Sequence, residues 1–161
     1  MTPTQLADFS EAVRQSTLKR LAAVPPGWEN WPVAADCLSF AEIARHLAAM
    51  DRWLLAKLAD ESLPSLRAEG QPSEKVSAAE YQRLLDDLAA TGRERAVLLR
   101  GLSAAEYQRE ITDDRFGGRV TVWWVIMRGN LDHEIHHRGQ LALGLKLVHR
   151  QTGQQPDLPK E

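Results

Sequence analysis

The pattern that most restricts this chain is a helix-start signal that recurs along it, followed by apolar residues at helical spacing. Ser39-Phe40-Ala41-Glu42 and Ser77-Ala78-Ala79-Glu80 both carry a Ser-x-x-Glu capping box. In such a box the serine hydroxyl and the glutamate carboxylate satisfy backbone donors that a helix start leaves free. After the first box, Phe40, Ile43, Leu47, Met50, Leu54 and Leu58 return at intervals of three and four; after the second, Tyr81, Leu84, Leu85, Leu88, Leu98 and Leu99 do so less regularly. Apolar residues at these intervals share one face of an α-helix. Upstream, Leu6, Phe9, Val13 and Leu21 mark one side of a helix from about Thr4 to Ala23, stopped by Pro25-Pro26-Gly27. A fourth long helix is expected from about Val122 to Arg150, and Ser103-Ala104-Ala105-Glu106 opens one further short turn.

Four amphipathic helices in one chain predict an all-α fold, a four-helix bundle. About 17 residues, Asp60 to Val76, join the second and third helices, a long connection that permits a crossover. Between Arg109 and Val122 the pattern changes. Ile111, Thr112, Val120 and Thr121 flank Asp113-Asp114-Arg115-Phe116-Gly117-Gly118, which predicts a short β-hairpin before the last helix. The stretch 151–161, with Gly153, Pro156 and Pro159, reads as an irregular tail.

At 161 residues, 43% of them apolar and 26% charged, the chain is expected to form a single domain, 1–161. A net charge of -2 with no basic stripe argues against nucleic-acid binding, and no apolar run approaches a membrane span. The first residues lack the order of a secretory signal, and the one cysteine, Cys37, has no internal partner. A reducing, cytoplasmic setting is the default expectation.

The chemistry is concentrated in Asp132-His133-Glu134-Ile135-His136-His137-Arg138-Gly139-Gln140-Leu141, which holds three of the five histidines. On a helix, residues four apart are offset by about 40°, so His133 and His137 stand one above the other. His46 lies mid-way along the second helix among Ile43, Met50 and Trp53 and should point into the bundle. A lone histidine on an apolar face is more often a hydrogen-bonded core residue. Two imidazoles stacked on a buried face are different, because they repel if charged and are hard to satisfy if neutral. One shared metal resolves both problems. The expected ligands are therefore His46, His133 and His137, and three nitrogens leave coordination positions open. His136 points elsewhere and reads as a flanking residue, with replacement of either neighbour left open. His149 reads as surface. Cys37 is too far from His46 to share the metal.

His133-Glu134-Ile135-His136-His137 also satisfies H-E-x-x-H, in which Glu134 would be the general base of a zinc hydrolase. The longer form fails, because Gln140 and Leu143 stand where glycine and histidine are needed. Glu134-x-x-His137 is half of a di-iron signature, but Glu42 and His46 are spaced by four, not three.

The histidine on the second helix, the Asp132–Leu141 motif and the Gly117-Gly118-Arg119-Val120-Thr121-Val122-Trp123-Trp124 approach together resemble the DinB family, the DinB/YfiT-like group of metalloenzymes. The layout matches over essentially the whole chain, and the final motif is the specific part. The resemblance implies a four-helix bundle, often a homodimer, with a divalent metal on His46, His133 and His137. It also implies thiol-dependent transfer or isomerisation, with a low-molecular-weight thiol (bacillithiol, mycothiol or glutathione) as cosubstrate of a small electrophile. A non-catalytic metal-binding or small-molecule-binding protein is the alternative.

Zinc is the default ion, with nickel, iron, manganese and copper compatible with the same ligands. The catalytic residues are not assigned; the candidates are Glu134, Asn130 and Arg138. Asn130 lies one turn before His133 and could assist a ligand or contact substrate. Arg138 could hold an anionic group or anchor the helix by a salt bridge. Gln140, one turn past His137, is expected to hydrogen-bond within the bundle, and Gly139 to admit a neighbouring helix. Trp53, Trp123 and Trp124 read as core. Apolar residues on several sides of the last helix predict a two-fold dimer.

Overall fold

The computed structural model describes residues 1–64 and 74–153. It is mostly helical: α1 (Pro3–Ala22), α2 (Phe40–Ala59), α3 (Ala78–Gly101), α4 (Ala104–Gln108), α5 (Val122–Ile126) and α6 (Asp132–Thr152), with strands β1 (Glu110–Asp113) and β2 (Gly118–Thr121). Every Ser-x-x-Glu tetrad starts a helix, and each forms both reciprocal bonds of the capping box. A further box, Thr2 with Gln5, starts α1 at Pro3, whose missing N–H costs nothing at a helix's first position. Residues 60–77 separate α2 from α3, and the part of this link at 65–73 lies outside the described residues.

The hairpin forms as expected, pairing Glu110 with Thr121 through Asp113 with Gly118. Its turn is a short 3₁₀ segment, Asp114–Phe116, closed by Gly117 at φ 80°. Only glycine adopts that conformation without strain.

The last helix differs from expectation. Rather than one uninterrupted α-helix, Val122 to Thr152 contains a π-helical turn at Met127–Leu131. A π turn inserts a residue and shifts the phase of the side chains that follow. The C-terminal end also moves: α6 continues through Thr152 and ends at Gly153, φ 68°, so the tail begins later than 151. Residues 154–161 of that tail lie outside the described residues.

α1 packs on α3 and α6, and α3 also packs on α2. The core is divided. One apolar cluster joins Leu21, Phe40, Leu47, Leu88 and Leu145. The other joins Leu6, Leu54, Leu99, Ile111 and Ile126 at the hairpin end. Between them, at mid-helix, lies a polar layer that includes Arg14, Asp51, Arg95, Asn130 and Glu134, all buried. Three apolar expectations fail: Phe9, Trp123 and Trp124 are exposed, at 39%, 40% and 41%. Phe9 lies toward the edge of its stripe, and the two tryptophans precede the π turn. Among the described residues no helix is long and apolar enough to cross a membrane.

Candidate metal centre

His46 comes from α2, and His133 and His137 come from successive turns of α6. Phe40 meets Gly144 while His46 meets His133, so α2 and α6 run antiparallel at this contact. The Nε2 of His133 lies 2.7 Å from that of His46 and 3.0 Å from that of His137. The ligand atoms of all three residues fall within 4.8 Å of one another. His137 is buried and the other two are half-buried, so the group lies at the edge of the bundle with one side accessible.

The protons fit a cation better than a hydrogen-bonded cluster. His137 Nδ1 donates to Gln140 Oε1 at 2.7 Å, which leaves a lone pair on His137 Nε2. His133 Nε2 can carry at most one proton, yet it faces both neighbouring nitrogens. One cation would satisfy all three lone pairs. The three nitrogens already lie within a few ångströms of one another, so one ion could be shared by all of them.

Burial dominates the electrostatics. It pushes His46, His133 and His137 each down to about 4 from an ordinary 6.5, and the neighbouring imidazoles add to the effect. The three rings are therefore neutral at pH 7, the state that coordinates metal. Between about pH 6.5 and 4 the unfolded chain binds more protons at these residues than the folded one does. Glu134, held down to about 2, extends the same sign below its ordinary 4.5. The metal-free protein should thus lose stability as pH falls through 6.5 toward 4, and further below that. Thermal unfolding in chelator across this range measures it; a melting temperature independent of pH would contradict it.

Gln140 takes the part foreseen for it and one more, since its amide nitrogen reaches the exposed His136 Nε2 at 3.2 Å. Groups that orient a metal-ligating histidine typically change metal affinity by about 10–100-fold when removed. Gln140→Ala should weaken zinc binding by about that factor, measurable by competition with a chromophoric chelator. An unchanged affinity would show that packing alone holds the His137 ring.

Glu134 does not reach the centre. Arg14 Nε donates to its Oε1 at 2.8 Å, and Arg95 Nη1 donates to its Oε2 at 2.8 Å. It is 1% exposed. This corrects its reading as a general base: both oxygens are held by guanidinium groups and its proton affinity is too low. The reason is angular, since residue 134 is turned about 100° from 133 around the helix. Asn130 is corrected likewise. It accepts from Arg95 at 2.8 Å and donates to Asp51 at 3.2 Å, and so belongs to the polar layer. Its position four residues before Glu134 aligns it with that residue more closely than with His133. Arg138 is half-buried and, among the described residues, forms no ion pair that would anchor the helix. Gly139 faces open space; the close approach is at Gly144, where an added Cβ would stand 3.0 Å from the Phe40 ring. His149 is half-buried rather than on the surface.

The polar layer went unread in the sequence. Arg14 also donates to Asp51 at 2.7 Å, and Arg95 donates to Asp51 and to Ser10 Oγ, both at 2.8 Å. Two cations and two anions balance, and each is hydrogen-bonded. A signal did exist: Asp51 interrupts the stripe between Leu47 and Leu54, and Arg95 lies one turn before Leu99. Arg115 was also missed. From the hairpin turn its guanidinium pairs with Asp113 at 2.6 Å and lies 4.1 Å from the Trp53 ring centroid. Its charge contributes to keeping His133 neutral. An added Cβ at Gly129 would stand 2.8 Å from Arg115 Nη2, so a side chain there would displace it.

The sequence profile of the DinB superfamily matches residues 10–141. The chain belongs to the DinB superfamily. The matched span contains the three histidines, Gln140 and the polar layer. The crystal structure of a DinB-like protein, YjoA from Bacillus subtilis, has the same fold at a TM-score of 0.68. It is 18% identical, with 97% of this chain and 96% of that chain covered. No curated protein matches this DinB-superfamily chain.

Proposed function

We propose that this protein is a mononuclear metalloenzyme that transfers the sulfur of a low-molecular-weight thiol to a small electrophile. The observation that carries the reading is the convergence of three Nε2 atoms, from His46, His133 and His137, at a half-buried edge of the bundle. Three nitrogen donors, with no fourth protein ligand among the described residues, suit a centre that binds a reactant rather than one that only holds a fold. Zinc, the default, suits imidazole ligands; nickel, iron, manganese and copper suit the same donor set.

A divalent ion held there would supply Lewis acidity, lowering the pKa of a thiol that binds beside the three histidines. Burial keeps the histidines neutral, and Gln140 directs the His137 lone pair inward. The Arg14–Glu134–Arg95–Asp51 layer fixes the rotation of α6 and so the direction of both its histidines. A hydrolase using Glu134 as base is disfavoured by that same layer. We further propose that the protein acts as a homodimer, with the exposed Trp123 and Trp124 as the apolar surface to test.

The test is thiol-dependent conversion of monochlorobimane by tag-free, zinc-loaded protein, with glutathione, bacillithiol and mycothiol compared. The carbon–sulfur bond forms, chloride leaves and the thiol proton passes to solvent. Turnover lost in His133→Ala supports the enzyme. Tight zinc binding without turnover of any electrophile in a panel would favour the binding-protein alternative.

A further inference from the structure

Beside the three histidines lies an apolar pocket of about 220 Å³. Its walls include Trp31, Val33, Leu38, Phe40, Ile43 and Leu143, and no charged side chain lines it. Its place relative to the centre follows from the helices. Ile43 precedes His46 by three residues on α2, and Gln140 follows His137 by three on the antiparallel α6. Each step is about 4.5 Å along a helix. The pocket therefore opens one turn from the imidazoles, and Gln140 belongs to both, its carbonyl on His137 Nδ1 and its side chain in the pocket wall. The outer wall is a loop closed at its base by the Pro32–Ser39 bridge. That loop leaves Val33 and Leu38 37% and 41% exposed in the same lining as Leu143 at 54%, so the exposed apolar residues are grouped around the pocket and not scattered.

We propose that this pocket binds the apolar part of the electrophilic substrate, an uncharged aromatic or branched aliphatic group, and presents the rest of that molecule to the histidine centre. The inference rests on the metalloenzyme reading for its second half only. Volume decides the size class: drug-sized ligands occupy about 300–1,000 Å³, so this pocket suits one ring with a short substituent. Chemistry decides the charge class. An anion or a cation placed here would be desolvated with no oppositely charged partner among the walls, which burial in apolar surroundings penalises. The polar, charged thiol is thereby excluded from the pocket and left to approach from the open side. Gln140, whose amide already holds His137 Nδ1 and reaches His136, is the wall residue that the pocket shares with the centre.

Cys37, exposed and in the pocket wall, provides the readout, because it is the chain's single cysteine. The rate of its alkylation by iodoacetamide is followed by mass spectrometry with 4-fluorobenzyl alcohol or 4-fluorobenzoate added. The alcohol at about ten times its Kd should slow alkylation about tenfold, while the benzoate at the same concentration should not. Val33→Trp, a substitution on an exposed loop, should fill the pocket and abolish the effect of the alcohol. In cobalt-loaded protein the 19F resonance of the bound alcohol should broaden relative to the zinc form, which ties the pocket to the centre. No protection by the alcohol, or equal protection by the benzoate, overturns the proposal. So does protection that rises with protein concentration alone, which would mean that a second copy fills the pocket. Protection without broadening, in protein shown to bind cobalt, overturns the link to the centre. Failure of the protein to bind cobalt or zinc would instead overturn the metalloenzyme reading, and the alkylation assay would still decide the pocket.

Discussion

Arg95→Ala is expected to destabilise the protein by about 3–5 kcal/mol, the usual cost of removing one member of a buried ion pair. Arg95 is 1% exposed and donates to Ser10, Asp51, Asn130 and Glu134. Its removal leaves two buried carboxylates facing the single guanidinium of Arg14, and it opens a void where the two apolar clusters meet. Urea unfolding followed by circular dichroism measures the loss. Glu134→Gln should cost less, since an amide keeps one acceptor for the arginines. If Glu134 were instead a catalytic base, Glu134→Gln would abolish turnover while leaving the unfolding midpoint in place. A loss below about 1 kcal/mol in Arg95→Ala would show that the layer is solvated.

His133→Ala should have the largest effect on metal binding. His133 Nε2 lies between the other two donors, at 2.7 and 3.0 Å, so its removal leaves two ligands from two helices with no shared neighbour. Removing a group that merely orients a ligand costs about 10–100-fold, and losing a ligand should exceed that range. Isothermal titration of tag-free protein with zinc provides the measurement, with elemental analysis of the purified protein fixing the native ion. His136→Ala is the control. His136 is exposed and meets the centre through Gln140 and an edge-on contact with the His137 ring, 5.5 Å between centroids, so its loss should have a smaller effect than that of Gln140 itself. A His136→Ala affinity as poor as that of His133→Ala would reassign the ligand set.

The helices and the histidines were legible because both signals are local. A capping box spans four residues, and each serine box seen in the sequence begins a helix in the structure. The alignment of His133 with His137 follows from helical geometry, and the turn before β2 follows from paired glycines. The misreadings share another cause. Glu134 and Asn130 are candidates for chemistry in the sequence because of their nearness to His133. Their side chains point to Arg14, Asp51 and Arg95, which are remote in the chain. The π turn at Met127–Leu131 carries no local signal comparable to a proline, and it changes the facing of what precedes it.

By itself the sequence determined where helices begin, that α6 would present two imidazoles on one face, and which residues could join them around a cation, since spacing and residue type act over a few residues. Only the tertiary structure decided that His46 meets that pair, that Glu134 is bound by two arginines instead of being free to take a proton, and that an uncharged pocket opens one turn away. Those outcomes depend on contacts between segments tens of residues apart, and no local pattern encodes the distance between two helices.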